Sequence, residues 1–179
     1  MIICADSGYD HARKMNLRPS IVLGDFDSIS EKPADIPCLN FPARKDLTDT
    51  ELAVEYARDK GFREFLLLGS TGSRSDHSLA NILLLKNILD MGGNATIVDE
   101  HSKIMITDAL LEINEPQGSI ISLIPLTTCK GVTTNDLEYP LGNATMEVGK
   151  GIGISNIVSG ENPWVKTEEG TLFVIVARD

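Results

Sequence analysis

Ile21-Val-Leu-Gly24-Asp25-Phe-Asp27-Ser28 joins an apolar run directly to a glycine and two aspartates. Continuous apolar runs that end at a glycine are typical of buried strands in parallel sheets. Side chains two positions apart in extended backbone point to the same side, so we expect Asp25 and Asp27 to lie together where the strand ends. Such a pair can hold a hard cation, or it can form a polar turn with Asx hydrogen bonds.

The same alternation of apolar runs and helical patterns continues through the first hundred residues. The predicted strands are Met1–Ala5, Ile21–Leu23, Pro37–Phe41, Phe65–Leu68 and Ala95–Val98, and the predicted helices are Asp6–Asn16, Thr48–Lys60 and Asp76–Met91. This order predicts an α/β domain over residues 1–100, with a Rossmann-like parallel sheet covered on both faces. We expect the strand Phe65–Leu68 to be buried and the last helix to have a wide apolar face that includes Leu79 and Leu83.

From about residue 101 the pattern changes to short strand-like runs separated by turn signals. These runs are Lys103–Thr107, Leu110–Ile113, Ser119–Ile124, Gly131–Thr134, Ala144–Val148, Gly153–Val158, Trp164–Thr167 and Thr171–Ala177. Many short strands at regular spacing are typical of a β-sandwich or barrel. We therefore expect a second, all-β domain over residues 101–179 that packs directly against the first.

Composition and charge exclude several classes of partner. The 179 residues are 42% hydrophobic and 23% charged, as in globular proteins, and the formal net charge of −10 opposes binding to nucleic acid or anionic membranes. Three cysteines without CxxC spacing fit a reducing compartment better than a disulfide framework. No apolar run approaches the roughly 20 residues of a membrane helix. The sequence predicts a cytoplasmic protein that binds neither nucleic acid nor membrane.

A second acidic segment, Lys45-Asp46-Leu-Thr48-Asp49-Thr-Glu51, opens the second predicted helix. Thr48 and Glu51 have the spacing of a capping box, and the helix dipole favours acidic residues in the first turn, so a structural role explains them. Helix N-termini in open α/β sheets also face the ligand crevice and can bind phosphate. Both interpretations remain open for this segment.

A third segment, Gly69-Ser70-Thr-Gly72-Ser-Arg74-Ser-Asp76-His77, lies between a predicted strand and a helix. This is a common position for an anion-binding turn. Arg74 can hold a phosphate through two hydrogen bonds, or it can pair with Asp76 across the turn. Asp76 can also simply cap the helix that follows.

Acidic residues from separate strand ends are expected to meet at one edge of the sheet. They are Asp6, Asp25, Asp27, Asp46, Asp49 and Asp76. Two like charges about 4 Å apart repel by about 4 kcal/mol at an effective dielectric constant of 20, so several such pairs need raised pKa values or bound cations. Because oxygen-only ligands beside phosphate-binding turns suit Mg²⁺, the sequence predicts a magnesium site.

Five motifs occur in the order and spacing of the thiamine pyrophosphokinase family, which the chain resembles over nearly its whole length. They are Ala5-Asp6-Ser7-Gly8, Gly24-Asp-Phe-Asp-Ser28, Lys45-Asp-Leu-Thr-Asp-Thr-Glu51, Thr71-Gly-Ser-Arg-Ser-Asp-His77 and Gly153-Ile-Ser155-Asn156. The resemblance implies an α/β domain, a C-terminal β-sandwich and a homodimer with sites at the subunit interface. It also implies transfer of the pyrophosphoryl group of ATP to the hydroxyethyl oxygen of thiamine, giving thiamine diphosphate and AMP.

The resemblance also implies roles for individual residues. The Mg²⁺ ligands would be Asp6, Asp25, Asp27 and Asp49, the last three also being catalytic. The nucleotide contacts would be Asp6, Lys45, Asp46 and Ser70. The substrate contacts would be Thr48, Arg74, Asp76, Tyr139, Ser155 and Asn156. Tyr139 would stack on the thiamine rings, and our hypothesis is that Asp49 accepts the hydroxyl proton.

Two other functions compete with this interpretation. Asp25-Phe-Asp27-Ser28 also resembles the nucleophile segment of haloacid dehalogenase-like enzymes, which would make the chain a Mg²⁺-dependent aspartyl-phosphate phosphatase. A nucleotide- or thiamine-binding module without turnover is the non-enzymatic alternative, because family members usually carry a further strand and a glycine-containing loop before the segment that matches Ile2–Gly8. Ser7 and Ser73 also stand where many members have glycine.

Overall fold

The computed structural model of the chain describes residues 1–31, 33–42 and 46–178. Lys45, implied to contact the nucleotide, lies outside these residues. Within them, the helices are α1 (Gly8–Lys14), α2 (Asp49–Asp59) and α3 (Ser75–Asp90). The strands of the amino-terminal half are β1 (Ile3–Ala5), β2 (Ile21–Gly24), β3 (Cys38–Asn40), β4 (Glu64–Leu68) and β5 (Asn94–Val98). All eight elements lie close to their predicted positions.

The remaining described strands form the carboxy-terminal half, which has no helix among the residues that the structure describes. They are β6 (Ser102–Thr107), β7 (Leu110–Glu112), β8 (Ile120–Pro125), β9 (Cys129–Asn135), β10 (Ala144–Met146), β11 (Asn156–Ile157), β12 (Trp164–Lys166) and β13 (Leu172–Ala177). The strong β pattern of the sequence therefore predicts these elements well. The chain has a mixed α/β fold with three helices and several sheets in its described part.

The first three strands form a parallel sheet in the order β1-β2-β3. Its central strand is fully buried, with Val22 and Leu23 at 0% exposure. Ala53 of α2 packs with Leu23 on one side of this sheet, whereas Ala12 of α1 packs with Val22 in a separate cluster. The uninterrupted apolar run of β2 is thus explained by packing on both faces.

The other two strands of the amino-terminal half join a different sheet, which corrects the prediction of one parallel sheet. β4 and β5 pair in parallel, but they extend a six-stranded sheet of order β11-β8-β13-β6-β5-β4. The reason is the short turn after β5, which allows only antiparallel pairing with β6. The expected domain boundary at residue 100 falls in this turn, between two neighbouring strands of one sheet.

The six-stranded sheet packs with a four-stranded sheet of order β10-β9-β12-β7. One core contains buried side chains of both, including Leu123 and Val174 from the larger sheet and Val132 and Val165 from the smaller. On its opposite face, the larger sheet is covered by α3, where Leu85 and other apolar side chains form a second core. Alternation along each strand sends side chains to these two cores in turn.

The predicted burial of the strand Phe65–Leu68 is wrong, and part of the apolar face of α3 is exposed. Leu66 and Leu68 of β4 are 64% and 51% exposed, and Leu79 and Leu83 of α3 are also exposed. β4 is an edge strand, and only one of its faces, that of Leu67, contacts the core beneath α3. A continuous apolar run therefore does not establish burial on both faces.

The edge strand β1 of the three-stranded sheet and the edge strand β4 of the six-stranded sheet face each other across a groove of about 190 Å³. The groove is lined by Met1 and Ile3 on one side, by β4 on the other and by α2 between them. Neither β1 nor β4 has a second strand partner among the residues that the structure describes. In the same described ranges, no helix is both long enough and apolar enough to cross a bilayer.

Candidate active site

Three aspartates meet where β1 and β2 end. Asp6, Asp25 and Asp27 each offer a carboxylate oxygen, and these oxygens lie within 4.8 Å of one another. Asp6 directly follows β1, and the other two directly follow β2, so the parallel pairing of these strands brings them together. Within the described ranges this is the one group of three or more potential metal-binding side chains.

The backbone brings Asp6 unusually close to the end of β2. Its N–H donates to the carbonyl oxygen of Leu23 at 2.7 Å, and its φ of 42° lies in the left-handed region. Gly24 has a φ of 146°, and a Cβ placed on it would lie 3.1 Å from the Cβ of Asp6. Glycine is needed at position 24 because the two strand ends approach so closely.

Hydrogen bonds inside the cluster satisfy some of its oxygens but not all. The backbone N–H of Asp27 donates to Asp25 Oδ1 at 3.2 Å, an Asx hydrogen bond of the kind that the polar-turn alternative implied. The Ser28 hydroxyl contacts oxygens of both Asp6 and Asp27. Asp6 Oδ1 is buried and has no hydrogen-bond partner. None of the salt bridges among the described residues neutralises these carboxylates.

This donor set fits a hard divalent cation. Three carboxylates that no basic side chain neutralises within the described ranges repel one another. A cation would remove that repulsion and satisfy the orphaned oxygen of Asp6. All available ligands are oxygens, which favours Mg²⁺ or Ca²⁺ over softer metals. Asp6, Asp25 and Asp27 are therefore the residues here that could hold a metal.

The start of α2 has the predicted capping box. Thr48 is the N-cap residue, and its hydroxyl accepts from the N–H of Glu51 at 3.2 Å, whereas the Glu51 carboxylate accepts from the N–H of Thr48 at 2.7 Å. Asp49 is the first residue of the helix and is not one of the three clustered carboxylates. Asp46 lies three residues before the helix begins and is exposed.

The segment between β4 and α3 is held at several points. The Asn81 side chain donates to the carbonyl oxygen of Ser70 at 2.7 Å, and the Ser78 hydroxyl accepts from the N–H of Gly72 at 3.0 Å. Thr71 donates to Asp99 at 2.6 Å. Ser70 Oγ, in contrast, is buried without a partner. The turn is thus fixed by its flanks while one hydroxyl remains available.

Asp99 is the anchor of that segment and sits at the turn after β5. Its carboxylate accepts from Thr71 and also from the N–H groups of His101 and Ser102, at 2.8 and 2.7 Å. Partial burial raises the pKa of Asp99, but these hydrogen bonds outweigh it, and the net pKa lies below the usual value. The sequence analysis missed this residue.

Arg74 and Asp76 pair with each other, which is one of the two alternatives for Arg74. The guanidinium donates to both carboxylate oxygens, at 3.2 and 2.6 Å, and both side chains are exposed. Hydrogen bonding from Arg74 lowers the pKa of Asp76 to about 2, and the same contact raises the pKa of Arg74. The capping alternative for Asp76 is wrong, because the N-cap of α3 is Arg74.

Tyr139 and the motif ending in Asn156 lie together in the carboxy-terminal half. The Tyr139 side chain is exposed, whereas Asn156 is buried and hydrogen-bonded to the backbone of Tyr139. Ser155 is exposed, has a φ of 55°, and donates its N–H to the hydroxyl of Ser122 at 3.1 Å. Hydrogen bonds therefore join the buried Asn156 to the exposed Tyr139, and the exposed Ser155 directly precedes Asn156 in the chain.

Family models match both halves of the chain. The model described as thiamin pyrophosphokinase, catalytic domain, matches residues 1–97, and the one described as thiamin pyrophosphokinase, vitamin B1 binding domain, matches residues 110–172. The chain belongs to the thiamin pyrophosphokinase family. It is thus a member of a family of enzymes, as the resemblance implied. Neither the phosphatase nor the binding module without turnover is supported by these matches.

Individual relatives agree with this assignment to the thiamin pyrophosphokinase family. The chain is 30% identical to thiamine pyrophosphokinase of Bacillus subtilis over 170 residues, 90% of this chain and 79% of that protein. A crystal structure of the Bacillus subtilis protein has a TM-score of 0.90 at 27% identity, covering 99% of this chain and 87% of that one. A crystal structure of a thiamin pyrophosphokinase family protein from Enterococcus faecalis has a TM-score of 0.87 at 26% identity. The match covers 99% of this chain and 88% of that one.

The family's motifs could therefore be located from the sequence, but the residues that hydrogen-bond to them could not. It grouped Asp6, Asp25 and Asp27, which the structure brings together, with three further aspartates that are not part of that cluster. It also missed Ser28 as a contact of the cluster and Asp99 as an anchor of the turn. Ser28 could have been found, because it directly follows the two aspartates at the strand end. Nothing in the sequence around Asp99 indicated its role.

Proposed function

We propose that the chain transfers the pyrophosphoryl group of ATP to the hydroxyethyl oxygen of thiamine, releasing AMP. The observation that carries this proposal is a group of three carboxylates in a member of this family. No salt bridge among the described residues neutralises them, and one buried oxygen of Asp6 has no hydrogen-bond partner there. The finer architecture that we propose is a Rossmann-like unit carrying the nucleotide and Mg²⁺, followed by a β-sandwich carrying thiamine. Three free cysteines suit a cytoplasmic location.

Asp6, Asp25 and Asp27 would hold Mg²⁺ against the nucleotide phosphates. The metal, when bound, supplies charge neutralisation to the phosphate oxygens during the transfer. Reactions of this class depend mainly on positioning and electrostatic stabilisation, and little on covalent participation of the protein. The close backbone approach at Gly24 is the feature of this chain that fixes the ligand geometry.

The other nucleotide and substrate contacts that we propose lie in the segments that lead into α2 and α3. Ser70 has the free hydroxyl needed to donate to a phosphate oxygen, and its turn is already fixed by neighbouring side chains. Asp46 and Thr48 approach the nucleotide and substrate from the start of α2. Asp49 is assigned as the group that accepts the proton of the attacking hydroxyl, because it begins the same helix.

The thiamine contacts that we propose are Asp76, Arg74, Tyr139 and Ser155. A cation above an aromatic face gains about 0.5–2 kcal/mol, which suits a thiazolium on Tyr139. Tyr139 is 61% exposed, which leaves its side chain accessible to a ligand. Because the resemblance places such rings across a subunit interface, we also propose a homodimer in which this residue stacks on the thiamine bound at the partner's site.

A product assay tests the proposal. The chain incubated with ATP, Mg²⁺ and thiamine should produce AMP and thiamine diphosphate in equal amounts, and omission of any one component should abolish both. Asp49→Asn should lower turnover by about 10²–10³-fold with the fold retained, whereas Asp108→Asn, at an exposed turn, should not. Release of inorganic phosphate alone, or thiamine binding without AMP, would contradict the proposal.

A further inference from the structure

Tyr139 combines an exposed ring with a backbone that is held on both sides. Leu137 forms a bridge with Val158, and the N–H of Glu138 donates to the carbonyl oxygen of Ile157 at 2.9 Å. Two residues further on, the N–H of Leu141 donates to the hydroxyl of Thr134 at 2.8 Å. The Tyr139 ring therefore reaches solvent from a segment whose path is fixed.

The side chain of Asn156 continues this pairing at Tyr139 itself. Its Oδ1 accepts from the Tyr139 N–H at 2.9 Å, and its Nδ2 donates to the Tyr139 carbonyl oxygen at 2.7 Å. A carboxamide has the donor and acceptor of a peptide group. The Asn156 side chain therefore takes the place of the next backbone-to-backbone hydrogen bonds between the two paired segments. Pro140 follows, has no N–H and could not continue that ladder with its own backbone.

Asn156 is committed to this contact and is not available to a ligand. It is 2% exposed, and its oxygen also accepts from the N–H of Ile157 at 2.9 Å. Asparagine suits the position because aspartate lacks the donor and glutamine is longer by one methylene. Because the buried Asn156 amide uses its donor and its acceptor on the backbone of Tyr139, it orients that segment.

We infer that Asn156 is a positioning residue, which holds the Tyr139 ring in place for thiamine and does not contact thiamine itself. The inference deepens the proposed function and rests on it, since it replaces the substrate contact implied for Asn156. A ring that projects from a fixed backbone has fewer positions to lose when the ligand arrives, so the affinity for thiamine depends on Asn156 through Tyr139.

A double-mutant cycle tests the coupling between the two residues. The variants are Asn156→Ala, Tyr139→Ala and the double variant, with KM for thiamine, KM for ATP and kcat measured below the unfolding temperature of each. Asn156→Ala should raise the thiamine KM by about 2- to 30-fold, the range of one cation–π contact, and leave the ATP KM unchanged. In the Tyr139→Ala background it should raise the thiamine KM no further.

Thr167→Ala is the matched control. Thr167 is also 2% exposed and its hydroxyl donates to the carbonyl oxygen of Glu169 at 2.7 Å, but it lies outside the Tyr139 segment. A similar rise in thiamine KM in this control, or an equal rise in the ATP KM in Asn156→Ala, would reduce Asn156 to a general structural role. Independent, multiplicative effects in the cycle would also overturn the inference.

Hydrogen exchange gives a readout that does not depend on activity. The Tyr139 N–H should exchange faster in Asn156→Ala and keep its protection in Thr167→Ala. If Asn156→Ala does not fold, Asn156→Asp replaces it, because it keeps the acceptor for this N–H while it loses the donor and adds a charge. Unchanged protection in Asn156→Ala, or an unchanged thiamine KM in Asn156→Asp, would contradict the inference.

The cycle also separates this inference from the proposed function. If Tyr139→Ala raises the thiamine KM and Asn156→Ala does not, the inference fails and the stacking role of Tyr139 stands. If Tyr139→Ala leaves an active enzyme with unchanged thiamine KM, both the stacking role and the inference fail. If no AMP forms with the unaltered chain, the proposed function fails first.

Discussion

Two acidic sites at strand ends differ sharply in how their oxygens are used. At the end of β5, Asp99 accepts hydrogen bonds from Thr71, His101 and Ser102. At the ends of β1 and β2, three carboxylates crowd together, and one oxygen of Asp6 is buried with no partner. A satisfied carboxylate stabilises a turn, whereas an unsatisfied group of like charges is costly unless a ligand completes it.

This difference matches the general observation that functional sites violate local rules that the rest of a protein obeys. The three-aspartate cluster also contains the left-handed Asp6 and Phe26 and depends on Gly24. Non-glycine residues in that region are uncommon, and they persist where the surrounding structure imposes them. The two acidic sites should therefore respond in opposite ways to the same substitution.

The largest expected effect is on activity at the three-aspartate cluster. Asp25→Asn or Asp27→Asn should lower kcat by about 10²–10³-fold, because each removes a charge that would hold the metal. Stability without divalent cations should stay the same or rise, since like-charge repulsion falls. Activity measured beside thermal unfolding checks both; a loss of stability that parallels the loss of activity would break the contrast with Asp99.

The opposite effect is expected at Asp99. Asp99→Ala should lower the free energy of unfolding by about 1.5–3 kcal/mol, because a carboxylate that accepts several hydrogen bonds is removed and its donors lose their partner. Urea unfolding measures the change. Asp108→Ala, at an exposed turn between β6 and β7, should change stability little and serves as the control.

Added Mg²⁺ should stabilise the protein through the three-aspartate cluster alone. At ten times the dissociation constant the gain is about 1.4 kcal/mol, because a ligand that binds only the folded state shifts the unfolding equilibrium. Asp6→Asn should lose this gain, and Asp99→Asn should keep it. An equal Mg²⁺ effect in Asp6→Asn would show that the cation binds elsewhere.

The smallest effect is the acid response of Asp99. Its folded pKa is lowered, so its stabilising contribution is present above the unfolded pKa near 4 and is lost as pH falls through the folded pKa. The stability difference between the unaltered chain and Asp99→Asn should be constant above about pH 5 and should shrink below about pH 4. A difference independent of pH would mean that its ionisation does not stabilise the turn.

Much of this molecule follows from local patterns. The apolar run and the glycine that ends it predicted the strand β2. The capping box predicted the start of α2. Asp25 and Asp27 could be grouped because a period of two puts them on one side of an extended chain. β1 and β2 are parallel neighbours that end at the same edge of their sheet, which brings Asp6 to these two aspartates.

Other features depend on contacts between distant segments. Leu66 and Leu68 resemble buried strand residues, but their face of β4 is exposed because the strand lies at the edge of its sheet. Asn156 resembles a ligand contact, but its amide is used by the backbone of Tyr139, 17 positions away. Neither outcome can be inferred from the residues beside it in sequence.

The amino-acid sequence alone determined the elements, the family and a group of six aspartates that includes the three-aspartate cluster, because these follow from periodicity, turn chemistry and motif spacing within short segments. The tertiary structure alone decided which strands share a sheet, which leucines are exposed and which polar groups are left without partners. Burial and hydrogen-bond satisfaction are set by what packs against a side chain, and those neighbours come from elsewhere in the chain.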